Sequence, residues 1–162
     1  MPVLWREEGH FLSFELVSTG MFGEDWIGYL PSIGRRVSPN AAKMLRAGLL
    51  RPTPKGTIHR VRVMRGGFLG SALRRTKIIS DTLRTMKLQT PHPEVSPLIH
   101  AAFSDTQIQG MGLEELVTFH DPILGRFLDI DTKAGKKGLL ESAPADPNDS
   151  WHAGHGFALV EG

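Results

Sequence analysis

A histidine and two aspartates lie close together in the last third of the chain, on two predicted strands joined by a turn. His120 ends the first strand, and Asp129 and Asp131 lie in the second. With His120 placed opposite Phe127, His120 and Asp129 become diagonal cross-strand neighbours, with about 7–8 Å between their α-carbons. Two carboxylates and an imidazole at this separation could bind a divalent metal for phosphoester hydrolysis. A solvent-facing sheet surface explains the same residues without a metal, and we prefer that interpretation.

A pair of histidines occurs near the end of the chain, in the motif His152-x-x-His155. Imidazoles three positions apart can chelate a metal ion on a helix, but Gly154 and Gly156 disfavour a helix in this segment. No third ligand is adjacent to the pair in the sequence. We therefore interpret the motif as a turn with exposed histidines, and we predict no metal ion and no cofactor.

A glycine-rich turn lies between a predicted strand and a predicted helix at residues 61–73. Such a turn can present free backbone N–H groups to a phosphate. It lacks the Gly-Lys-Ser/Thr of a P-loop and the glycine spacing of a dinucleotide-binding fold. Arg65 and Gly70 match the ends of the Arg/Gln-x-x-Gly-x-Gly/Ala motif, although Phe68 replaces its central glycine. The stretch thus resembles the coenzyme A loop of the GNAT acetyltransferases, and the resemblance implies acetyl-CoA-dependent N-acetyl transfer as an alternative function.

Positive charge is concentrated in the middle of the chain. Residues 35–87 contain fourteen lysines and arginines and a single acid, Asp81, so this segment carries +13 and the remainder −11. This asymmetry is typical either of a basic surface for an anionic partner or of internal and inter-subunit charge pairing. We predict the former, with nucleic acid or an acidic protein patch as partner; the opposed charges would also permit a homo-oligomer. The predicted anion-binding residues are Arg60, Arg62, Arg65, Arg74, Lys77 and Arg84.

Alternating apolar residues predict the strands that carry these side chains. The strand at 57–65 buries Val61 and Val63 and leaves Arg60 and Arg62 on a polar face. In the hairpin register given above, a buried face is shared by Val117, Phe119, Leu128 and Ile130. Strands are predicted at 10–17, 57–65, 114–120, 126–132, 137–141 and 156–160.

Helices are predicted between the strands of the two ends. Ser38-Pro39 indicates a helix start, with a capping serine and proline at the first helical position. Apolar residues at helical spacing indicate an amphipathic helix within 71–88, and Ser104 can cap a short helix. Helices are predicted at 22–30, from Ser38-Pro39 to Gly48, at 71–88 and at 97–103. The pattern predicts a single α+β domain over residues 1–162, whose mainly antiparallel sheet packs the middle helices on one face.

Composition narrows the function classes further. The chain has no cysteine, which excludes disulfides and thiol nucleophiles, and no apolar run of the length that a membrane helix needs. Arg6, Glu7 and Glu8 occupy positions where a signal peptide would be apolar, so we expect a cytoplasmic protein. Together with the basic segment, these features favour a binding module over an enzyme.

Three stretches together resemble small, uncharacterised bacterial proteins, some of them carried on mobile elements. They are Ser18-Thr19-Gly20 followed by Gly23-Glu24-Asp25-Trp26-Ile27, then Arg51-Pro52-Thr53 with Gly56, and Phe103-Ser104-Asp105 through Met111-Gly112-Leu113 to His120-Asp121-Pro122-Ile123. The resemblance implies a bacterial cytoplasmic origin. It implies no activity and no site residue.

Overall fold

The structure, a computed structural model, describes residues 3–49, 51–133 and 138–162. Within these ranges nine strands form one sheet, accompanied by five α-helices. The strands are β1 (Arg6–Glu8), β2 (Phe11–Val17), β3 (Arg36–Val37), β4 (Ile58–Arg65), β5 (Leu88–Gln89), β6 (Glu115–Thr118), β7 (Arg126–Asp131), β8 (Leu139–Pro144) and β9 (His155–Glu161). The helices are α1 (Gly23–Ser32), α2 (Pro39–Gly48), α3 (Thr76–Thr85), α4 (Val95–Ala102) and α5 (Asp105–Gly110). The first residue of the predicted strand at 137–141 lies outside the described residues.

The sheet has mixed strand directions. Its order is β1-β2-β4-β9-β6-β7-β8-β3, and β5 pairs with β9 beside this path. The α+β class is confirmed, but the prediction of a mainly antiparallel sheet is corrected, because β6 runs parallel to β9 and β3 runs parallel to β8. Among the described strands, the consecutive pairs β1–β2, β6–β7 and β7–β8 form antiparallel hairpins, whereas the C-terminal strand inserts between β4 and β6. No local pattern reveals that insertion.

Both faces of the sheet are buried over its central strands. Consecutive residues such as Leu116 and Val117, or Phe157 and Ala158, point to opposite faces and are all fully buried. One face packs against α1, α2, α4 and α5, and the other packs against Ile79 and Leu83 of α3. The sequence predicted the middle helices on a single face, whereas α3 lies on the opposite one. We call the face that α3 covers in part the second face.

The β6–β7 hairpin has a different register from the predicted one. Val117 lies opposite Asp129, not one residue further along, so Asp129 and Asp131 share the second face with Glu115. The turn itself is tight: Leu124 and Gly125 both have positive φ, which is the two-residue hairpin geometry. The residues from 120 to 122 therefore bulge out of the ladder, and this bulge sets the register.

Helix starts follow local chemistry where capping residues are present. The Ser38 hydroxyl accepts a hydrogen bond from the Ala41 N–H, with Pro39 at the first helical position, as predicted. Ser104 and Gln107 form a capping box at the start of α5. The helix predicted from residue 71 begins only at Thr76, because Arg75 pairs in a β-bridge with Ser150.

Candidate metal centre

Glu115, His152 and His155 converge on the second face of the sheet. The Glu115 Oε2 atom lies 2.7 Å from His155 Nε2 and 2.9 Å from His152 Nε2. One ligand atom from each residue lies within 4.8 Å of the other two. Two imidazoles and a carboxylate form a common ligand set for zinc; a tetrahedral ion about 2.0–2.1 Å from each would separate these atoms by roughly 3.3 Å. A small outward movement of the side chains would admit the ion. We call these three residues the Glu115 cluster.

Strand pairing positions the two buried members of the cluster. Glu115 opens β6 and His155 opens β9, and the two residues are direct partners in the parallel ladder. Their side chains therefore point to the same face from adjacent strands. His152 lies in the loop before β9, and the Gly154 carbonyl in that loop accepts hydrogen bonds from the N–H groups of Glu114 and Glu115. These bonds fix the histidine loop to the start of β6.

The glycine-rich turn packs against the histidine loop and holds it in place. A Cβ atom on Gly66 would lie 2.9 Å from the carbonyl oxygen of His155 and 3.1 Å from that of His152, so the close approach requires glycine. The Arg74 guanidinium donates hydrogen bonds to the carbonyl oxygens of Trp151, Gly66 and Leu69. The turn at 66–74 thus positions the cluster, a role that the sequence did not indicate.

Two further acids lie beside Glu115. Asp131 is the cross-strand partner of Glu115, and Asp129 lies two residues earlier in β7, on the same face. Burial raises the pKa of Asp129 well above its usual range, and the neighbouring Glu115 charge adds to this effect. Burial also tends to raise the pKa of Glu115, but hydrogen bonds and charge from His155, then from His152 and Lys133, outweigh it and hold that pKa well below its usual value.

Two buried polar atoms at this site lack a hydrogen-bond partner among the described residues. They are Asp129 Oδ1 and His155 Nδ1. An unpaired buried polar atom costs free energy, and such atoms concentrate at sites that bind an ion, a water molecule or a ligand. The region around Glu115 is therefore incompletely satisfied by the protein itself.

A cleft of about 430 Å³ opens onto the cluster. His155 is buried, whereas 46% of the His152 side chain is exposed, so the cluster can be reached from solvent on one side. Lys133 Nζ lies 3.4 Å from Glu115 Oε2 at the cleft. The other acidic residues that line it are Asp129, Asp131, Glu141 and Asp149.

The structure separates His120 from the two aspartates with which the sequence grouped it. The His120 Nδ1–H donates to the Asp121 carbonyl at 2.7 Å, and the Leu128 N–H donates to His120 Nε2 at 2.9 Å. Burial lowers the pKa of His120 to about 4. The structure therefore does not support His120 as a metal ligand with Asp129 and Asp131, because its ring nitrogens bind the Asp121 carbonyl and the Leu128 N–H. The interpretation of these residues as a solvent-facing surface is also corrected, since all three side chains are buried.

The interpretation of His152 and His155 as a turn with two exposed histidines is also corrected. His152 is exposed, but His155 is buried at the start of β9. The candidate ligand that sequence reasoning missed is Glu115, which lies 37 residues before His152. The only available signal was the His-x-x-His spacing itself, since a third ligand from another strand is invisible without the strand order.

The predicted anion-binding side chains are mostly engaged with other groups of the protein. Three of the arginines pair with glutamates from the terminal segments, in Arg60–Glu15 (3.6 Å), Arg62–Glu161 (3.2 Å) and Arg65–Glu7 (2.6 Å). Lys77 pairs with Asp81 and Arg74 binds backbone carbonyls, as described above. Arg84 is exposed. Binding of an anionic partner to this segment stays a prediction, and these ion pairs would compete with it.

The glycine-rich turn uses several of its N–H groups internally. The Leu69 N–H donates to the Gly66 carbonyl. At the start of α3, the N–H groups of Thr76 and Lys77 donate to the carbonyls of Asp149 and Pro147. These donors are therefore not free for a pyrophosphate, and acetyl-CoA binding stays a prediction without structural support.

Comparisons of the chain with protein-family models, with curated protein sequences and with solved structures found no match. The roles considered below therefore rest on geometry. None of the helices in the described ranges combines the length and the apolar character needed to cross a bilayer.

Proposed function

We propose that the protein is a metal-dependent hydrolase whose metal ion is bound by Glu115, His152 and His155. The observation that carries the proposal is the convergence of these three ligand atoms within 4.8 Å at an open cleft. Structural zinc sites have four protein ligands, whereas catalytic sites have three and leave a position for water. Two histidines and a glutamate are one of the established catalytic ligand sets.

The chemistry of such a site is the activation of water. Zinc with three protein ligands lowers the pKa of its bound water to about 7. In a hydrolysis at this site the water oxygen would bond to the acyl carbon of the substrate, the bond to the leaving group would break, and the leaving group would take up one proton from the water. Lys133 lies at the cleft, 3.4 Å from Glu115, where its ammonium group can stabilise negative charge on the substrate oxygen.

The charge of the cleft favours a neutral acyl bond as the substrate. Besides the cluster, the described lining includes Asp131, Glu141 and Asp149 but one lysine, Lys133. These carboxylates repel a phosphate group, which carries one or two negative charges. An ester or amide therefore fits the cleft better than the phosphoester suggested by the sequence.

Metal stoichiometry and ester hydrolysis test the proposal together. Protein stripped with EDTA is loaded with Zn²⁺, and the bound metal is measured by atomic emission after dialysis. We expect one ion per chain and zinc-dependent hydrolysis of p-nitrophenyl acetate. Both should be lost in His152→Asn and Glu115→Gln, because each removes a metal ligand. His10→Asn and Glu15→Gln, which change the same residue types away from the cleft, should retain both.

The two measurements separate the metal site from the enzymatic activity. One bound zinc without hydrolysis of p-nitrophenyl acetate or of a p-nitroanilide amide would contradict the hydrolase and leave the metal site intact. Absence of bound zinc in the unaltered protein would contradict both.

A further inference from the structure

A second cavity lies between α3 and the bulge that follows β6. Its volume is about 340 Å³, which is within the range of sites for small molecules. The residues that line it on the helix are Thr76, Lys77, Ser80, Asp81 and Arg84. The opposite wall is formed by Phe119, His120, Asp121, Pro122 and Phe127, with Thr90 and Pro147 completing the lining. We call this cavity the aromatic pocket; it shares no lining residue with the cleft at the Glu115 cluster.

We infer that the aromatic pocket binds a small planar aromatic carboxylate. The base of the pocket is formed by Phe119 and Phe127, whose rings stack with centroids 4.8 Å apart and an angle of 18° between their planes. The His120 ring meets Phe127 edge-on at 5.7 Å. Both phenylalanines line the cavity, and aromatic rings prefer offset-stacked or edge-on aromatic neighbours, so a planar ring suits this apolar part of the lining.

The aromatic wall is rigid before any ligand binds. Both nitrogens of the His120 ring are held by backbone groups of Asp121 and Leu128. The other side of Phe119 contacts the Trp151 ring at 5.9 Å, and the Trp151 indole N–H donates to the Thr76 hydroxyl. A preformed wall reduces the entropy that ligand binding costs.

The side of the pocket formed by α3 supplies a cationic group that can bind a carboxylate. Lys77 and Arg84, two residues that the sequence assigned to anion binding, both reach the rim. Lys77 is bound to Asp81 at 3.0 Å, whereas Arg84 has no carboxylate within ion-pair distance among the described residues. A guanidinium group binds a carboxylate through two parallel hydrogen bonds, so Arg84 is the natural partner for the acid group of the ligand.

The balance of charge around the rim favours a single negative charge over a phosphate. Asp81 and Asp121 are both exposed at the rim and oppose the two cations there. The two cations and the two aspartates balance, so a dianionic phosphate would leave two uncompensated negative charges at the rim, whereas a single carboxylate bound at Arg84 would leave one. The ligand class is therefore an aromatic ring that bears one carboxylate.

Titration with 2-naphthoate, followed by ¹H–¹⁵N NMR, tests this inference. We expect saturable shifts of the backbone signals of Ser80, His120 and Phe127. The neutral analogue 2-naphthalenemethanol should bind about tenfold more weakly, because it lacks the charge-assisted hydrogen bonds. Shifts confined to residues outside the pocket, or equal affinity for the two compounds, would overturn the inference.

Two variants locate the ligand within the pocket. Arg84→Gln should weaken 2-naphthoate about tenfold and leave 2-naphthalenemethanol unchanged, because only the acid uses the guanidinium. Arg75→Gln, which alters an exposed arginine directly before the same helix that does not line the pocket, should change neither. Ser80→Leu should abolish binding of both compounds by filling the cavity. An Arg84→Gln protein that binds both compounds with unchanged affinity would contradict the assignment.

Discussion

Two buried histidine–glutamate pairs in this protein are built from the same groups and differ in what surrounds them. In each pair an imidazole Nε2 lies within hydrogen-bond distance of a carboxylate oxygen, at 2.6 Å for His59–Glu94 and 2.7 Å for His155–Glu115. Around Glu94, both oxygens accept further hydrogen bonds, from the Ser18 hydroxyl and from the N–H and hydroxyl groups of Thr53. That carboxylate is fully satisfied by the protein.

Around Glu115, by contrast, the polar contacts converge on one oxygen. The nitrogens of His152, His155 and Lys133 all lie within 3.4 Å of Oε2, while Asp129 Oδ1 nearby has no hydrogen-bond partner among the described residues. A closed network holds elements together, as Glu94 does for the start of α4. A convergent and incompletely satisfied group beside a cleft is instead the arrangement on which we base the proposed metal site.

The largest expected effect is a loss of stability when the His59–Glu94 pair is disrupted. Glu94→Ala removes the acceptor of all the hydrogen bonds described above and should lower the free energy of unfolding by about 3–5 kcal/mol. Urea unfolding followed by circular dichroism measures this change, and Glu94→Gln is a milder variant if Glu94→Ala does not fold. Zinc stoichiometry of the folded variant should remain at one. A loss of less than about 1 kcal/mol would show that Glu94 does not hold the fold together.

His120 is a further buried histidine, and in its case backbone groups form the hydrogen bonds to both ring nitrogens. Its folded-state pKa of about 4 lies below the unfolded value of 6.5, so the unfolded chain binds a proton first as the pH falls. Its stabilising contribution is therefore complete above pH 6.5 and lost between pH 6.5 and 4, on the order of 3 kcal/mol in total.

Urea unfolding at several pH values between 7.5 and 4.5 checks this dependence. Because other buried groups also titrate, the measured quantity is the difference between the unaltered protein and His120→Gln, whose unfolding should be less sensitive to acid. The exposed His10 provides the control, since His10→Gln should not alter the slope. Identical slopes for the unaltered protein and His120→Gln would contradict the assigned role.

Gly66→Ala should disturb the His155–Glu115 pair without altering either of its side chains. The new Cβ atom would lie 2.9 Å from the His155 carbonyl oxygen, so the histidine loop must move. We expect a stability loss of about 1–3 kcal/mol and about tenfold weaker zinc binding. Gly67→Ala is the matched control, because its Cβ atom would be 3.8 Å from the nearest atom, the Ala153 carbonyl oxygen. Equal effects of the two substitutions on zinc affinity would contradict the positioning role of Gly66.

The smallest expected effect is that of Glu115→Gln on the metal-free protein. The substitution removes charge-assisted hydrogen bonds to two histidines, but it also removes the charge that Asp129 and Asp131 face. These contributions oppose one another, so the free energy of unfolding should change by about 1 kcal/mol or less. Thermal and urea unfolding in EDTA measure it. A loss of free energy of unfolding as large as that of Glu94→Ala would indicate that the His155–Glu115 pair, like the His59–Glu94 pair, serves to stabilise the fold.

Local features of the sequence predicted local structure well. The alternating apolar residues of β2 and β4 and the Ser38-Pro39 start of α2 appear as predicted. Arg60 is exposed while Val61 and Val63 are buried, also as predicted. These features depend on residues within one turn or one pleat of each other, which the sequence displays directly.

The pairing of strands that are distant in the chain could not be predicted from the sequence. The candidate site depends on that pairing, so it could not be predicted either. The bulge at His120-Asp121-Pro122 shifted the hairpin register, which moved Asp129 and Asp131 to the face of Glu115. The parallel pairing of β9 with β6 then brought His155 to the same place. Each step joins residues far apart in the chain, so local periodicity could suggest the acids and the His-x-x-His spacing separately but could not group them.

Anomalous scattering at the zinc edge is the decisive test of a metal ion bound by Glu115, His152 and His155. In crystals grown with Zn²⁺, we expect one strong peak about 2.0–2.2 Å from a Glu115 oxygen and from a ring nitrogen of both His152 and His155. A map without that peak, in which both imidazoles still donate hydrogen bonds to Glu115, would contradict a zinc site at these residues.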